Sequence, residues 1–181
     1  QPHRIFILRQ ILYIIMKLSV PNQLSDLTVA QYQKLAEINL DSTDEKWLIE
    51  AVTIFCKLTK EEVNSMSLQD LARISQIIKK LNDVDNQNEE LIRIIDYKGQ
   101  RYGFHPNLSK LTVGEFADLE SFCSKGLFEN LGSVLSILYR PIKEEHKNFY
   151  SIEEYTGDVF PDHWEELRMN VVMGAINFFL S

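Results

Sequence analysis

The chain has 181 residues, of which 45% are hydrophobic and 25% are charged, and its formal net charge is −7. This length fits one domain, or two small lobes that share one core, and the composition argues against an intrinsically disordered chain. The acidic balance argues against nonspecific nucleic-acid binding, because that binding needs a basic face that displaces counterions from phosphates.

The first fifteen residues differ from the rest of the chain. Residues 1–15 contain Arg4, Arg9 and no acidic side chain, and they end in the apolar run 11–15. That run is too short for a membrane helix, which needs roughly 18 apolar residues, and no small-residue cleavage site follows it, as a secretory signal would require. Because Met16 is a natural start, we expect residues 1–15 to be an upstream extension that adds a strand or an arm.

A twelve-residue segment occurs nearly twice. Residues 24–35 match residues 108–119 at six identical positions, and Pro-Asn precedes each copy. In both copies a threonine is followed three residues later by Gln or Glu, which is the pattern of a capping box that begins a helix. The four residues of the two boxes are Thr28, Gln31, Thr112 and Glu115. The repeat predicts two similar units, each a strand, a proline break and a capped helix. They descend from one duplicated unit, or they are alike only because capped helices share a pattern.

Residues 16–81 are expected to form a helical first half that contains the first copy of the repeat, with its helix over about 29–38. Further Ser/Thr-x-x-Asp/Glu pairs predict three more helix starts. These pairs are Ser42 with Glu45, Thr59 with Glu62, and Ser67 with Asp70. Residues 82–90 are polar and predict a linker between the two halves.

Residues 91–181 are expected to form a second half that combines a hairpin, the second copy of the repeat and further helices. The expected elements are a hairpin over 92–104 that turns at Lys98 and Gly99, helices over 113–124 and 127–139, an irregular segment over 142–161, and a last helix from Pro161. Together the two halves predict a mainly helical α+β fold, with a duplicated strand–helix unit and one small sheet based on a β-hairpin.

The last predicted helix is apolar on two opposite faces. It is either the central helix of the core or a helix that also offers a face to a neighbouring protein. The residues of the predicted partner interface are Trp164, Val172, Ile176, Phe178, Phe179 and Leu180.

Arg140 precedes Pro141 at the end of a predicted helix. It either caps that helix, where a cation is favoured, or forms a structural ion pair with a buried acid. Asp118 is the candidate partner, and Glu115 is the alternative.

The sequence predicts no catalytic, metal-binding or cofactor-binding site. Cys56 and Cys123 lie in no motif, which favours buried thiols in a reducing compartment. A zinc site built from Cys123, His146 and His163 is disfavoured, because zinc motifs bring their ligands in close pairs. Neither a phosphate-binding loop nor a dinucleotide-binding motif is present. The acidic pairs at 144–145 and 153–154 are expected to be solvated.

Several motifs in a fixed order resemble a family of small proteins of tailed bacteriophages. The motifs are GFHPNL at 103–108, LTVGEFADL at 111–119, LYRPI at 138–142, EYTGD at 154–158 and the helix at 169–179. The family includes tail assembly chaperones and virion structural proteins of crAss-like and other phages of Bacteroidetes-type hosts, and the resemblance covers about residues 16–180.

This resemblance implies a non-enzymatic part, made in the cytoplasm of the bacterial host and used to build a tail or neck. Its partners would be other tail or neck proteins, with self-association into a homo-oligomer as a further option and no role for nucleic acid or membrane. It would either leave as a chaperone or remain in the virion as a ring subunit. The alternatives are a regulatory protein-binding module with no virion role and a small enzyme with a site in a loop.

Overall fold

The structure, a computed structural model, describes residues 19–38, 45–83, 89–147 and 149–181. These residues form a mainly helical α+β fold with one small antiparallel sheet, as the sequence predicts. The α-helices are α1 (Val29–Ala36), α2 (Glu45–Cys56), α3 (Lys60–Asn64), α4 (Leu68–Asp83), α5 (Val113–Ser124), α6 (Leu131–Leu138) and α7 (Met169–Leu180). The strands are β1 (Ile94–Tyr97), β2 (Gln100–Phe104), β3 (Tyr139–His146) and β4 (Phe149–Ile152).

Both copies of the repeat form a threonine-capped helix, as predicted. In the first copy the side chain of Thr28 accepts from the Gln31 backbone N–H, and in the second Thr112 accepts from that of Glu115. Both capping boxes are complete, and in each copy a 3-10 turn comes before the cap, at Leu24–Asp26 and Leu108–Lys110.

In the second copy a strand precedes the capped helix as predicted, because β2 ends at Phe104. In the first copy residues 19–23 contain no strand, and residues 17–18 lie outside the described part of the chain.

The other predicted helix starts agree where they can be compared. Thr59 and Glu62 form a complete capping box, and the Ser67 hydroxyl accepts from the Asp70 N–H. Ser42 lies outside the described residues. Helix α4 continues to Asp83, so it includes the first two residues of the predicted linker 82–90.

The predicted hairpin pairs β1 with β2 and turns at Lys98 and Gly99. Both turn residues have positive φ angles, 49° and 79°, which is the pattern of a type I′ turn that matches the twist of the flanking strands. The sheet continues in the order β1-β2-β3-β4 with all neighbours antiparallel.

The prediction of an irregular segment over 142–161 is wrong for its first part, which forms most of β3 and all of β4. Pro141 does not end a helix but lies in β3 opposite Tyr102 of β2. Helix α6 ends at Leu138, and the last helix, α7, begins only at Met169 after a 3-10 turn at Pro161–Trp164. Charged residues such as Lys143 and Glu144 hide the strand pattern, because this end of β3 faces solvent.

The core is centred on α6, in which all eight residues are buried. Helix α7 links the two halves of the chain. The N–H of Met169 donates to the carbonyl of Leu27, and the N–H of Val29 donates to the carbonyl of Leu167, both at 3.0 Å. The first copy of the repeat is thus joined to the last helix by backbone hydrogen bonds.

Candidate partner-binding groove

A groove of about 680 Å³ opens between the start of β3 and the segment 153–164. We call it the acidic groove. Its aromatic and imidazole lining consists of Tyr102, Tyr139, Tyr155, Phe160, His163 and Trp164. Its exposed acidic rim consists of Glu153, Glu154, Asp158 and Asp162. The two acids at 153–154 are solvated, as expected, but the groove beside them was not predicted.

Trp164 is held firmly at the floor of the groove. Its indole Nε1–H donates to Oγ of Ser136 at 2.9 Å, and the backbone N–H of Phe160 donates to the same oxygen at 3.1 Å. The Ser136 hydroxyl in turn donates to the carbonyl of Gly132 at 2.8 Å. One hydroxyl thus uses its donor and both of its acceptor positions, which fixes the 3-10 turn against α6.

Gly132 allows this close contact because it has no side chain. A Cβ at this position would lie 2.5 Å from the backbone oxygen of Pro161. Any larger residue would therefore push the turn, and Trp164 with it, away from α6.

The rings around Trp164 form one cluster. Tyr97 stacks on the indole with ring centroids 5.5 Å apart, and Tyr102 meets it edge-on at 5.0 Å. His163 lies edge-on to the same indole at 4.9 Å. Such offset and edge-to-face arrangements are the favoured geometries of aromatic pairs, so the groove has a rigid wall.

The predicted ion pair of Arg140 with Asp118 is wrong, because Arg140 pairs with Glu115. Nη2 of Arg140 lies 2.6 Å from Oε1 of Glu115, and both side chains are buried. Burial alone would raise the pKa of the Glu115 carboxyl, but the hydrogen bonds from Thr112 and the charge of Arg140 together hold that pKa below its usual value. Glu115 therefore carries the negative charge that balances a buried guanidinium.

Asp118 instead accepts a hydrogen bond from the Tyr155 hydroxyl at 2.6 Å. The Tyr155 ring also lies against the Arg140 guanidinium, 5.9 Å from its centroid. Burial, helped by the hydrogen bond to Asp118, raises the pKa of Tyr155. This tyrosine joins the groove wall to the polar cluster beneath it.

His105 completes the polar cluster. Its Nδ1 accepts from the N–H of Asn107 at 3.3 Å, and its Nε2 lies 3.8 Å from the Glu115 carboxylate. Burial lowers the pKa of His105, and Arg140 lowers it further against the opposing effect of Glu115. The imidazole is therefore neutral near pH 7, and Glu115 has Arg140 as its cationic partner.

Two buried nitrogen atoms of groove-lining residues have no hydrogen-bond partner among the described residues. They are Nε of Arg140 and Nε2 of His163. Burial lowers the pKa of His163, and the nearby charge of Lys98 lowers it further. The Nε of Arg140 and the Nε2 of His163 are therefore covered polar atoms whose hydrogen-bonding capacity is unused.

The predicted partner interface on the last helix is wrong for three of its six residues. Trp164, Val172 and Ile176 are buried in the core, and Phe179 is partly buried. Phe178 and Leu180 remain exposed at the end of α7. The helix is apolar on two faces because it contacts other parts of the chain on both, which the sequence alone did not distinguish from an exposed face.

A different exposed apolar surface lies on α5. Val113 and Phe116 are 87% and 60% exposed, and they share one face with Ala117 because they are three and four residues apart on a helix. We call these three residues the α5 face. Glu115 and Leu119 are buried on the opposite side of the helix. The repeat predicted this helix but gave no sign of which face is exposed.

The sequence contains a run of acidic residues that coincides with the acidic groove. Residues 149–167 contain six acidic residues and no lysine or arginine. A charge run of this kind predicts a solvated surface, and only the fold shows that it surrounds an aromatic groove.

Among the described residues no cluster of three or more His, Cys, Asp or Glu side chains is arranged to hold a metal ion. In the same part of the chain no helix has the length and apolar character to cross a membrane. No protein-family profile matches the sequence, and no curated protein or solved structure is significantly similar to it.

Proposed function

We propose that this chain is a non-enzymatic structural or assembly protein of a tailed bacteriophage, made in the host cytoplasm, which binds other tail or neck proteins. The order of motifs from 103 to 179 supports the phage assignment through its resemblance to small tail and virion proteins. The α5 face supports protein binding. The two lines of support are independent, because the first concerns sequence and the second concerns exposed surface.

The single observation that carries the protein-binding role is the exposure of Val113 and Phe116. Contiguous exposed apolar side chains are typical of partner sites, and burying one such side chain is worth about 1.5–3 kcal/mol. The complete capping box at Thr112 and the buried Glu115 fix the position of α5. A rigid helix loses little conformational entropy when a partner covers it.

The polar cluster supports a non-enzymatic role. Glu115 binds Arg140 and the cap of α5, and Asp118 binds Tyr155. These bonds connect α5, β3 and the segment after β4, so each charged group has a structural use. The proposal assigns the cluster to holding these elements together.

Mass spectrometry of purified phage particles and of their assembly intermediates tests the biological role. We expect the protein in mature particles if it is a ring subunit, and only in the intermediates if it is a chaperone. If it is absent from both, the virion role is overturned and the regulatory protein-binding module takes its place.

The α5 face is tested by Phe116→Asp, with Leu68→Asp as the matched control. Leu68 is 82% exposed and lies on α4, so both variants place an acid on an exposed helical position. We expect Phe116→Asp to reduce co-purification with the partner about tenfold, which corresponds to about 1.4 kcal/mol, and both variants to melt like the unmodified protein. Equal co-purification of the two variants would contradict a role for the α5 face.

A further inference from the structure

The acidic groove has a strongly negative rim. Four exposed carboxylates line it, those of Glu153, Glu154, Asp158 and Asp162. Among the described residues that line the groove, Arg140 is the only Lys or Arg, and its charge is balanced by Glu115. A groove with charges of one sign over low-dielectric walls concentrates the field and attracts the opposite charge.

The groove also presents apolar and aromatic surface. Phe160 is 67% exposed at its edge. The half-buried rings of Tyr102 and Tyr155 also line it. The faces of aromatic rings attract lysine and arginine as well as apolar groups. The lining therefore suits a ligand that combines a cation with an apolar side chain.

The unpartnered nitrogens suit a peptide backbone. Arg140 is 8% exposed and its Nε–H is a donor, so it requires an acceptor such as a backbone carbonyl. Nε2 of neutral His163 is able to accept from a backbone N–H or, in the other tautomer, to donate to a carbonyl. Leaving buried polar groups unpaired is unfavourable, and an extended peptide that displaces the side chains covering these two atoms presents both kinds of partner along its length.

We propose that the acidic groove binds an extended segment of a partner protein that carries lysine or arginine next to an apolar residue. The inference rests on the proposed function only in treating the chain as a protein-binding part. The groove is distinct from the α5 face, and peptide binding in vitro is measured separately from occurrence in phage particles. The failure of one proposal therefore does not entail the failure of the other.

The first test is selection of a random dodecapeptide library on the full-length protein, followed by fluorescence anisotropy with the best labelled peptide. We expect the enriched peptides to contain Lys or Arg beside an apolar residue, and their binding to weaken as salt increases. Enrichment of peptides without basic residues, or no enrichment at all, would overturn the proposal.

The second test neutralises the rim with Glu153→Gln, Glu154→Gln, Asp158→Asn and Asp162→Asn together. The matched control neutralises four exposed acids elsewhere, through Glu37→Gln, Glu45→Gln, Glu61→Gln and Glu120→Gln, so the change in net charge is the same. We expect the rim variant to bind the selected peptide about tenfold more weakly and the control to stay within about twofold. Equal losses in the two variants would show that only the overall charge matters and would contradict binding in the groove.

The apolar contact is tested by Phe160→Ala, with Phe149→Ala as the control. Phe149 is also exposed but lies on β4, outside the groove lining. We expect only Phe160→Ala to weaken binding, by about tenfold, while the thermal melts of both variants match that of the unmodified protein. Equal affinities of the two variants would overturn the apolar part of the proposal.

One competing occupant is the chain's own segment 1–15, which contains Arg4 and Arg9. Removal of residues 1–15 should leave the affinity for the selected peptide unchanged if the groove serves a partner protein. An increase of about tenfold or more would show that this segment competes for the groove, and it would replace the partner protein as the occupant.

Discussion

At the scale of single residues, Glu115 and Gln31 show how the same position in two copies of a repeat acquires different uses. Both complete a capping box. Glu115 then places its charge beside Arg140, whereas the amide of Gln31 donates to the carbonyl of Ile54 near the end of α2 at 3.1 Å. The choice of acid or amide therefore selects which neighbouring element each capped helix holds.

This difference gives a clean substitution, Glu115→Gln. Glutamine supports the same cap in the first copy, so the variant keeps the capping box of α5 and removes only the negative charge. Because it leaves a buried guanidinium without its counter-charge, we expect the free energy of unfolding to fall by about 3–5 kcal/mol, measured by urea denaturation.

The double variant Glu115→Gln with Arg140→Met is the control. It removes both charges, and we expect it to recover much of the loss, because apolar replacement of a buried pair is often neutral. A loss below about 1 kcal/mol in the single variant would mean that Arg140 finds another partner or solvent.

At the scale of elements, the features that depend on neighbouring residues were predictable. The two caps and the Lys98–Gly99 turn follow from spacings of two to four residues, and the structure confirms them. Strand β3 was missed because its pairing with β2 is non-local and it contains a proline and charged residues, and β4, which pairs with β3 in a hairpin, was missed with it. The sequence did not decide between Asp118 and Glu115 as the partner of Arg140 for a related reason. Asp118 and Glu115 lie one turn apart on α5, and only the direction of the helix decides between them.

The same substitution at two glycines should have opposite effects. Gly99 has φ 79° in the hairpin turn, so Gly99→Ala is strained and should destabilise the protein by about 1 kcal/mol or more. Gly114 lies in the first turn of α5, where a Cβ would meet nothing within 4 Å. Gly114→Ala should stabilise the protein by about 0.4–1 kcal/mol. Urea denaturation measures the free energy of unfolding of both variants. Equal changes in the same direction would contradict the assigned backbone conformations.

At the scale of the whole molecule, α5, the sheet and the C-terminal segment are joined by one buried polar cluster. Its charge state determines how stability depends on pH. The cluster contains a carboxylate with a lowered pKa, Glu115, and a neutral histidine with a lowered pKa, His105. In both cases the unfolded chain takes up protons at a higher pH than the folded chain does, so stability rises with pH across the affected range.

We therefore expect the free energy of unfolding to fall as the solution is acidified. The first fall should begin below about pH 6.5, the ordinary pKa of histidine, as the unfolded chain protonates before His105 does. A second fall should follow below about pH 4.5, the ordinary pKa of glutamic acid, and continue until folded Glu115 is protonated. Urea denaturation at a series of pH values measures both.

Variants separate the two contributions. His105→Asn keeps an acceptor for the Asn107 N–H and should reduce the first fall, while Glu115→Gln should reduce the second. If the free energy of unfolding increased as the pH was lowered from 7 to 5, that result would contradict the lowered pKa of His105.

The hydrogen bonds between the first copy of the repeat and the start of α7 have a consequence for synthesis on the ribosome. Arg168 donates to the carbonyl of Asp26, 142 positions earlier in the chain, and Leu27 and Val29 also bond to this distant segment. At about 5–20 residues per second, the ribosome needs roughly 7–28 s to make the residues between them. Throughout that interval the nascent first half lacks the backbone partners that complete it, so its native structure is reached only after the start of α7 has been made.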